Sequence, residues 1–262
     1  MATPASSTAA QLDEALFTFL LRMGDNTLVL GHRVSEWCGH APVLEEDIAL
    51  ANTALDLIGQ TQMWLGLAAD VEGQGRSADD LAMLRDVWDF RNLLLVEQPN
   101  GDFGQTIMRQ YLFDQFHLLL LRALQDSADD RIAGIAAKAV KEVGYHVERS
   151  AETVIGLGDG TEESHGRMQA ALDWLSPYVG EMFVSDEIDA EMATRGIVPD
   201  PASLRAPYDA ALAEVLAKAT LSRHEGDFAH QGGKTGFRHS EHLGHMLTQM
   251  QWLQRAYPGA AW

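Results

Sequence analysis

Between one cluster of Gly, Pro, Asn and Asp and the next, the apolar residues of this 262-residue chain recur every three or four positions and do not alternate. That period commits the chain to packed helices and makes the fold class all-α. A first helix is expected from Thr8 to Trp37, ended by the turn Gly39-His40-Ala41-Pro42, and a second from Pro42 to Ala69. After the loop at Gly73-Gln74-Gly75, a shorter helix is expected over Ala78–Asn92, and Gln98-Pro99-Asn100-Gly101-Asp102 breaks the chain. Long helices follow over Phe103–Gln125 and, past the acidic turn Asp126–Asp130, to Ile155. Helices over Glu163–Phe183, Asp186–Thr194, Pro207–Ala219 and Ser240–Ala256 complete the reading. Two long antiparallel pairs joined by a crossover of about 30 residues have the connectivity of a ferritin-like four-helix bundle with additional helices. The expectation is one such domain over 1–262, with residues 1–10 a disordered tail.

Charge and cysteine narrow the functional classes. Thirty-eight acids against 19 Lys and Arg give a formal charge of −19. A surface of that sign repels phosphate backbones, which argues against nucleic acid as a partner and makes a basic partner subunit easier to accommodate. One cysteine, Cys38, forms no internal disulfide and suits a reducing compartment, so the expected location is cytoplasmic. The N-terminus has no signal-peptide pattern and the apolar runs are short, so no membrane span is expected. A slight apolar excess fits a chain that buries surface against another subunit.

Each long helix carries a polar stripe among apolar neighbours. Asn52, Asp56 and Gln60 share one face of the second, and Gln110, Asp114 and His117 one face of the third. The first contributes Asp25, and the fourth Lys138, Glu142, His146 and Arg149. Reflecting Asp25 about the Gly39–Pro42 turn lands on Asp56, and reflecting Asp114 about the Asp126–Asp130 turn lands near Glu142. One acid at mid-length on each helix is how ferritin-like di-iron proteins build a core site. The metal pattern itself is broken. Such a site needs Glu-x-x-His on two helices, yet Gly59 follows Asp56 by three, Tyr145 follows Glu142 by three, and His146 follows it by four. Asp114-x-x-His117 has the spacing on a helix where a lone acid is expected, and Glu162 to His165 sits at a loop junction.

Without metal, buried acids need other partners or a proton. Lys138, Lys141 and Arg22 are the nearby cations in sequence, which suggests a site refilled by ion pairs and hydrogen bonds. Each acid also admits a plainer reading as an ordinary core or solvated polar residue. His239, Glu241, His242 and His245 read as a solvated or interface cluster rather than a well-shaped metal site. Gly232-Gly233-Lys234-Thr235-Gly236 has glycines like a phosphate loop but lacks its spacing and a preceding strand, so it reads as a flexible loop.

Ser35-Glu36-Trp37-Cys38-Gly39-His40-Ala41-Pro42, Asp47–Gln60, Asn92–Gly101, Glu241–Gly244 and Met250–Arg255 carry a resemblance. These long blocks are similar to the structural subunits of bacterial phenylacetyl-CoA epoxidases, and the likeness runs from Phe19 to Trp262. The resemblance implies a ferritin-like, non-catalytic subunit paired with a homologous catalytic subunit that carries the di-iron centre. It further implies a reductase with FAD and a 2Fe-2S cluster that passes electrons from NADPH, and epoxidation of phenylacetyl-CoA by dioxygen in aerobic phenylacetate degradation. On this reading the chain holds no cofactor, metal ligand or catalytic residue. Asp25, Asp56, Asp114, His117, Lys138, Glu142 and His146 then form a degenerate bundle-core site. Two alternatives stand beside it: an independent ferritin-like oxidase using Asp56, Asp114, His117, Glu142 and His146 as irregular ligands, and a helical interaction protein unconnected with oxygenation.

Overall fold

A computed structural model describes residues 13–223 and 229–260; the expected tail over 1–10 lies outside them. Ten α-helices and no strand occur among the described residues. They are α1 (Glu14–Ser35), α2 (Leu44–Glu72), α3 (Ala78–Met83), α4 (Leu94–Glu97) and α5 (Phe103–Leu124). Then follow α6 (Asp130–Gly158), α7 (Glu162–Val179), α8 (Glu187–Thr194), α9 (Arg205–Lys218) and α10 (Glu241–Ala256). No helix among them is long and apolar enough to cross a membrane.

Local chemistry sets the ends. Asp13 caps α1 by accepting the Leu16 N–H at 3.1 Å, and Asp102 caps α5 by accepting that of Gln105 at 2.9 Å. Ser77 and Asp80 form a reciprocal capping box on α3, and Gly73, at φ 67°, closes α2 in the left-handed region.

α1 packs along α2 and α5 along α6, the two antiparallel pairs of the expected bundle. α1 and α5 are buried on nearly every side, whereas α2 and α6 keep an outer face. Close approach of α1 to α2 depends on Gly24, where an added Cβ would collide with the Leu65 side chain. Across the same seam the Thr27 and Thr61 hydroxyls meet at 2.8 Å. Apolar residues from α1 to α10 form one contiguous core.

The expected helix over Ala78–Asn92 forms only as far as Met83. α3 stops at Met83, because side chains of α10 take its last carbonyls. Gln251 donates to the carbonyls of Ala82 and Arg85, both at 3.0 Å, and Arg255 to those of Leu84 and Arg85. The chain then makes one 3-10 turn over Val87–Asp89 and crosses α1 in extended form. There the Arg91 N–H donates to Asp25 and the Leu93 N–H to Asn26, each at 2.8 Å.

Candidate functional site

Two polar rungs join α2 to α6. His146 Nε2 lies 3.0 Å from Asp56 Oδ2, and one turn away Gln60 donates to Glu142 at 3.3 Å. His146 and Gln60 are buried, while the Asp56 side chain keeps 37% of its exposure and Glu142 is half-buried. The rungs therefore sit at the mouth of the seam. Burial holds the His146 imidazole below its ordinary range, and the Asp56 carboxylate opposes that shift.

Deeper in the seam, α5 supplies Gln110, Asp114 and His117, all buried. Asp114 accepts from Gln110 Nε2 at 2.7 Å and from Ser150 Oγ at 3.2 Å. Burial pushes its carboxyl up to about 8, against the lowering effect of those two bonds, so Asp114 is a neutral acid at pH 7. The His117 ring lies 5.1 Å from that of Phe113 at a tilt of 48°, and neither ring nitrogen has a hydrogen-bond partner among the described residues. Burial first, then the neighbouring His146, drives its imidazole down to about 3, so it too is neutral.

Asp25 stands apart from this group. It is wholly buried, and its carboxylate takes both terminal nitrogens of Arg85, with Arg85 Nη1 at 3.0 Å from Oδ2. Arg22, the cation expected beside Asp25, instead donates to Asp186 and Asp189 at the start of α8 and to the Lys234 carbonyl. Lys138 and Lys141 are exposed on the outer face of α6, so neither refills the core. Both turn reflections miss by about two helical turns. Thr27 faces Thr61, which sets Asp25 level with Met63, seven residues and about 10 Å along the axis from Asp56. Asp114 likewise faces Ser150 rather than Glu142.

The structure thus brings together Asp56, Asp114, His117, Glu142 and His146 and leaves out Asp25 and Lys138. As a metal site the group fits poorly. Asp56 and His146 Nε2 bond each other and Glu142 is bound by Gln60, while both His117 nitrogens and His146 Nδ1 have no partner among the described residues. No three His, Cys, Asp or Glu side chains converge as a ligand set among the described residues. That geometry disfavours an independent oxidase built on these five residues.

Two other motifs resolve differently from expectation. The histidines near α10 do not form one cluster. The His239 side chain is buried, with Nδ1 2.5 Å from Glu97 Oε1 and Nε2 3.2 Å from the Phe90 carbonyl, while His245 is exposed. Glu97, with 0% exposure, also accepts from Asn92 and from the N–H and hydroxyl of Ser240. The glycine loop is not loose but wraps a carboxylate. Glu181 accepts the N–H groups of Gly232 at 2.9 Å, Lys234 at 3.2 Å and Leu94 at 2.8 Å, so an internal acid fills the cradle. Gly233 is required there, since a Cβ would sit 2.5 Å from the Asn92 carbonyl oxygen. His165, of the other acid-histidine spacing, braces the end of α6 through the Gly158 carbonyl at 2.8 Å.

Sequence reasoning missed Arg85, Ser150, Glu97 and Glu181. Ser150 extends the stripe of Glu142 and His146 by one turn and was detectable from that spacing. Arg85 lies 60 residues from Asp25, with no periodic signal linking them.

The profile of the family described as phenylacetic acid catabolic protein matches residues 1–262. The chain belongs to that family. Among curated proteins, this phenylacetic acid catabolic family member is similar to one of the subunits of the 1,2-phenylacetyl-CoA epoxidase of Escherichia coli (strain K12). The two are 47% identical over 247 residues, covering 94% of this chain and 99% of the relative.

Proposed function

We propose that this chain is the structural subunit of a phenylacetyl-CoA epoxidase complex and scaffolds a homologous catalytic subunit that holds the di-iron centre. The observation that carries this reading is the near end-to-end likeness to a subunit of the Escherichia coli epoxidase. The spacing agrees with the same division of labour, because the second and fourth long helices lack the Glu-x-x-His pairs that a di-iron bundle needs. An acidic scaffold also leaves the anionic coenzyme A ester to the partner. In the complex, a reductase passes electrons from NADPH through FAD and a 2Fe-2S cluster, and this chain binds none of them.

A surface feature supports a docked partner. Leu44, Ile48, Leu55 and Ile58 form an exposed apolar stripe along α2, with Leu44 70% and Leu55 68% exposed, and Tyr145 of α6 is exposed too. Apolar stripes of this kind on otherwise charged proteins mark association surfaces.

The test is reconstitution of the complex with and without this chain. Ring epoxidation should need it, and iron should stay with the catalytic subunit when the two are separated. Full turnover by the catalytic subunit alone, or two irons per chain in the isolated subunit, would overturn the proposal.

A further inference from the structure

The seam between α2, α5 and α6 has an imbalance that its direct bonds leave unresolved. Gln60 Oε1, His146 Nδ1 and both ring nitrogens of His117 are buried without a partner among the described residues. His146 is near enough to His117 for its charge to act on that ring. The Asp56–His146 and Gln60–Glu142 rungs place Gln60 one turn from His146, and the Asp114–Ser150 contact brings His117 level with residue 147, beside His146. Gln110 Oε1 is also unpartnered but lies on the far side of Asp114 and is not part of this group.

The chemistry of the four atoms specifies what they lack. With Gln60 Nε2 donating to Glu142, Gln60 Oε1 accepts only. With His146 Nε2–H donating to the Asp56 carboxylate, neutral His146 is left with Nδ1 as an acceptor. Neutral His117 adds one acceptor and one donor. Three acceptors against one donor call for a ligand rich in donors that can also accept, which excludes an anion. Leaving such atoms bare is costly, because they lose the bonds that water gives them in the unfolded chain. Moreover, the two nitrogens of one imidazole point away from each other, so a single small molecule cannot serve both.

We propose that this seam binds at least two ordered water molecules, one on each side of the His117 ring, bridging to His146 Nδ1 and Gln60 Oε1. Buried waters typically make about three hydrogen bonds to otherwise unsatisfied groups, the environment that these side chains supply. The inference rests on the reading of this chain as the subunit whose core holds no metal. The hydrated seam keeps the polar stripe satisfied while leaving the bundle rigid.

The test is a crystal structure of the assembled complex at a resolution that shows single waters, with anomalous data at the iron and zinc edges. Two or more peaks without anomalous signal, within hydrogen-bond distance of both His117 nitrogens, are expected. A peak with anomalous signal at His117 and His146 would overturn both this inference and the proposed function. Apolar packing around the ring, or direct bonds from it to other side chains, would overturn the hydration alone and leave the proposed function standing. His117→Leu provides a solution readout. Removing the water anchor should lower the melting temperature by a few degrees, whereas a rise would show that the ring nitrogens were bare.

Discussion

Asp25 and Asp114 are the same residue type, each wholly buried on an interior helix of its antiparallel pair, and the fold treats them in opposite ways. Asp25 pairs with the Arg85 guanidinium and accepts the Arg91 N–H. Asp114 makes no ion pair among the described residues and takes bonds from two neutral side chains, and burial makes it keep its proton. The first solution bends the chain, since α3 must end and the strand-like segment to Leu93 must cross α1 to deliver its donors. The second needs no crossing segment, because Gln110 and Ser150 come from α5 and α6 themselves. A buried acid in a bundle is thus no sign of metal binding until its partners are known.

The sharpest way to break this comparison is Arg85→Met, which keeps the stem and removes the charge. It should strand the Asp25 carboxylate and cost about 3–5 kcal/mol in urea unfolding. A loss no larger than that of a surface change would mean that the Arg85–Asp25 pair contributes little to stability. Glu97 offers an intermediate case, a buried acid paired with a histidine. Glu97→Ala leaves His239 and the Ser240 N–H without their acceptor, and should cost about 1–3 kcal/mol. It should also speed proteolysis just before α10, measured by the rate of cleavage there.

Asp114→Asn tests the other side. Folded Asp114 holds its proton up to about 8, whereas unfolded it releases it near 3.8. Between these values the folded chain binds more protons, so this residue makes stability fall as pH rises. His117, lowered from 6.5 to about 3, acts in the opposite sense below 6.5, so the clean window is above that value. In melting curves from pH 6.5 to 8 the Asn variant should lose the downward slope, so that its melting temperature gains on the parent's as pH rises through the window. An unchanged slope would mean that Asp114 is ionised. Lys138→Ala is the smallest change: an exposed lysine should alter stability by no more than about 0.5 kcal/mol. A larger loss would place that cation in the core after all.

Much of this was legible from residue order. The stripes on the second, third and fourth long helices were visible at one-turn spacing, and the structure gathers Asp56, Asp114, His117, Glu142 and His146 as those stripes suggest. The turn reflection groups Asp25 with them, on the assumption that paired helices start level. They do not: α2 and α6 have 29 residues against 22 for α1 and α5 and run past their partners, so the true contacts slip by about two turns. Proximity along the chain groups Lys138 with Glu142, but its position on α6 turns it to solvent.

Helical periodicity, turn residues and caps are local properties, and the order of residues alone determined the all-α class, the two long pairs and the absence of the di-iron spacing. Which acid meets which partner was decided by tertiary structure. Arg85 reaches Asp25 across 60 residues, Arg22 leaves Asp25 for α8, and Glu181 fills a glycine cradle 51 residues away. Such pairings follow from how far helices slide past one another and where connecting segments cross. Those depend on the packing of the whole core, since no short stretch of sequence holds both members of a pair.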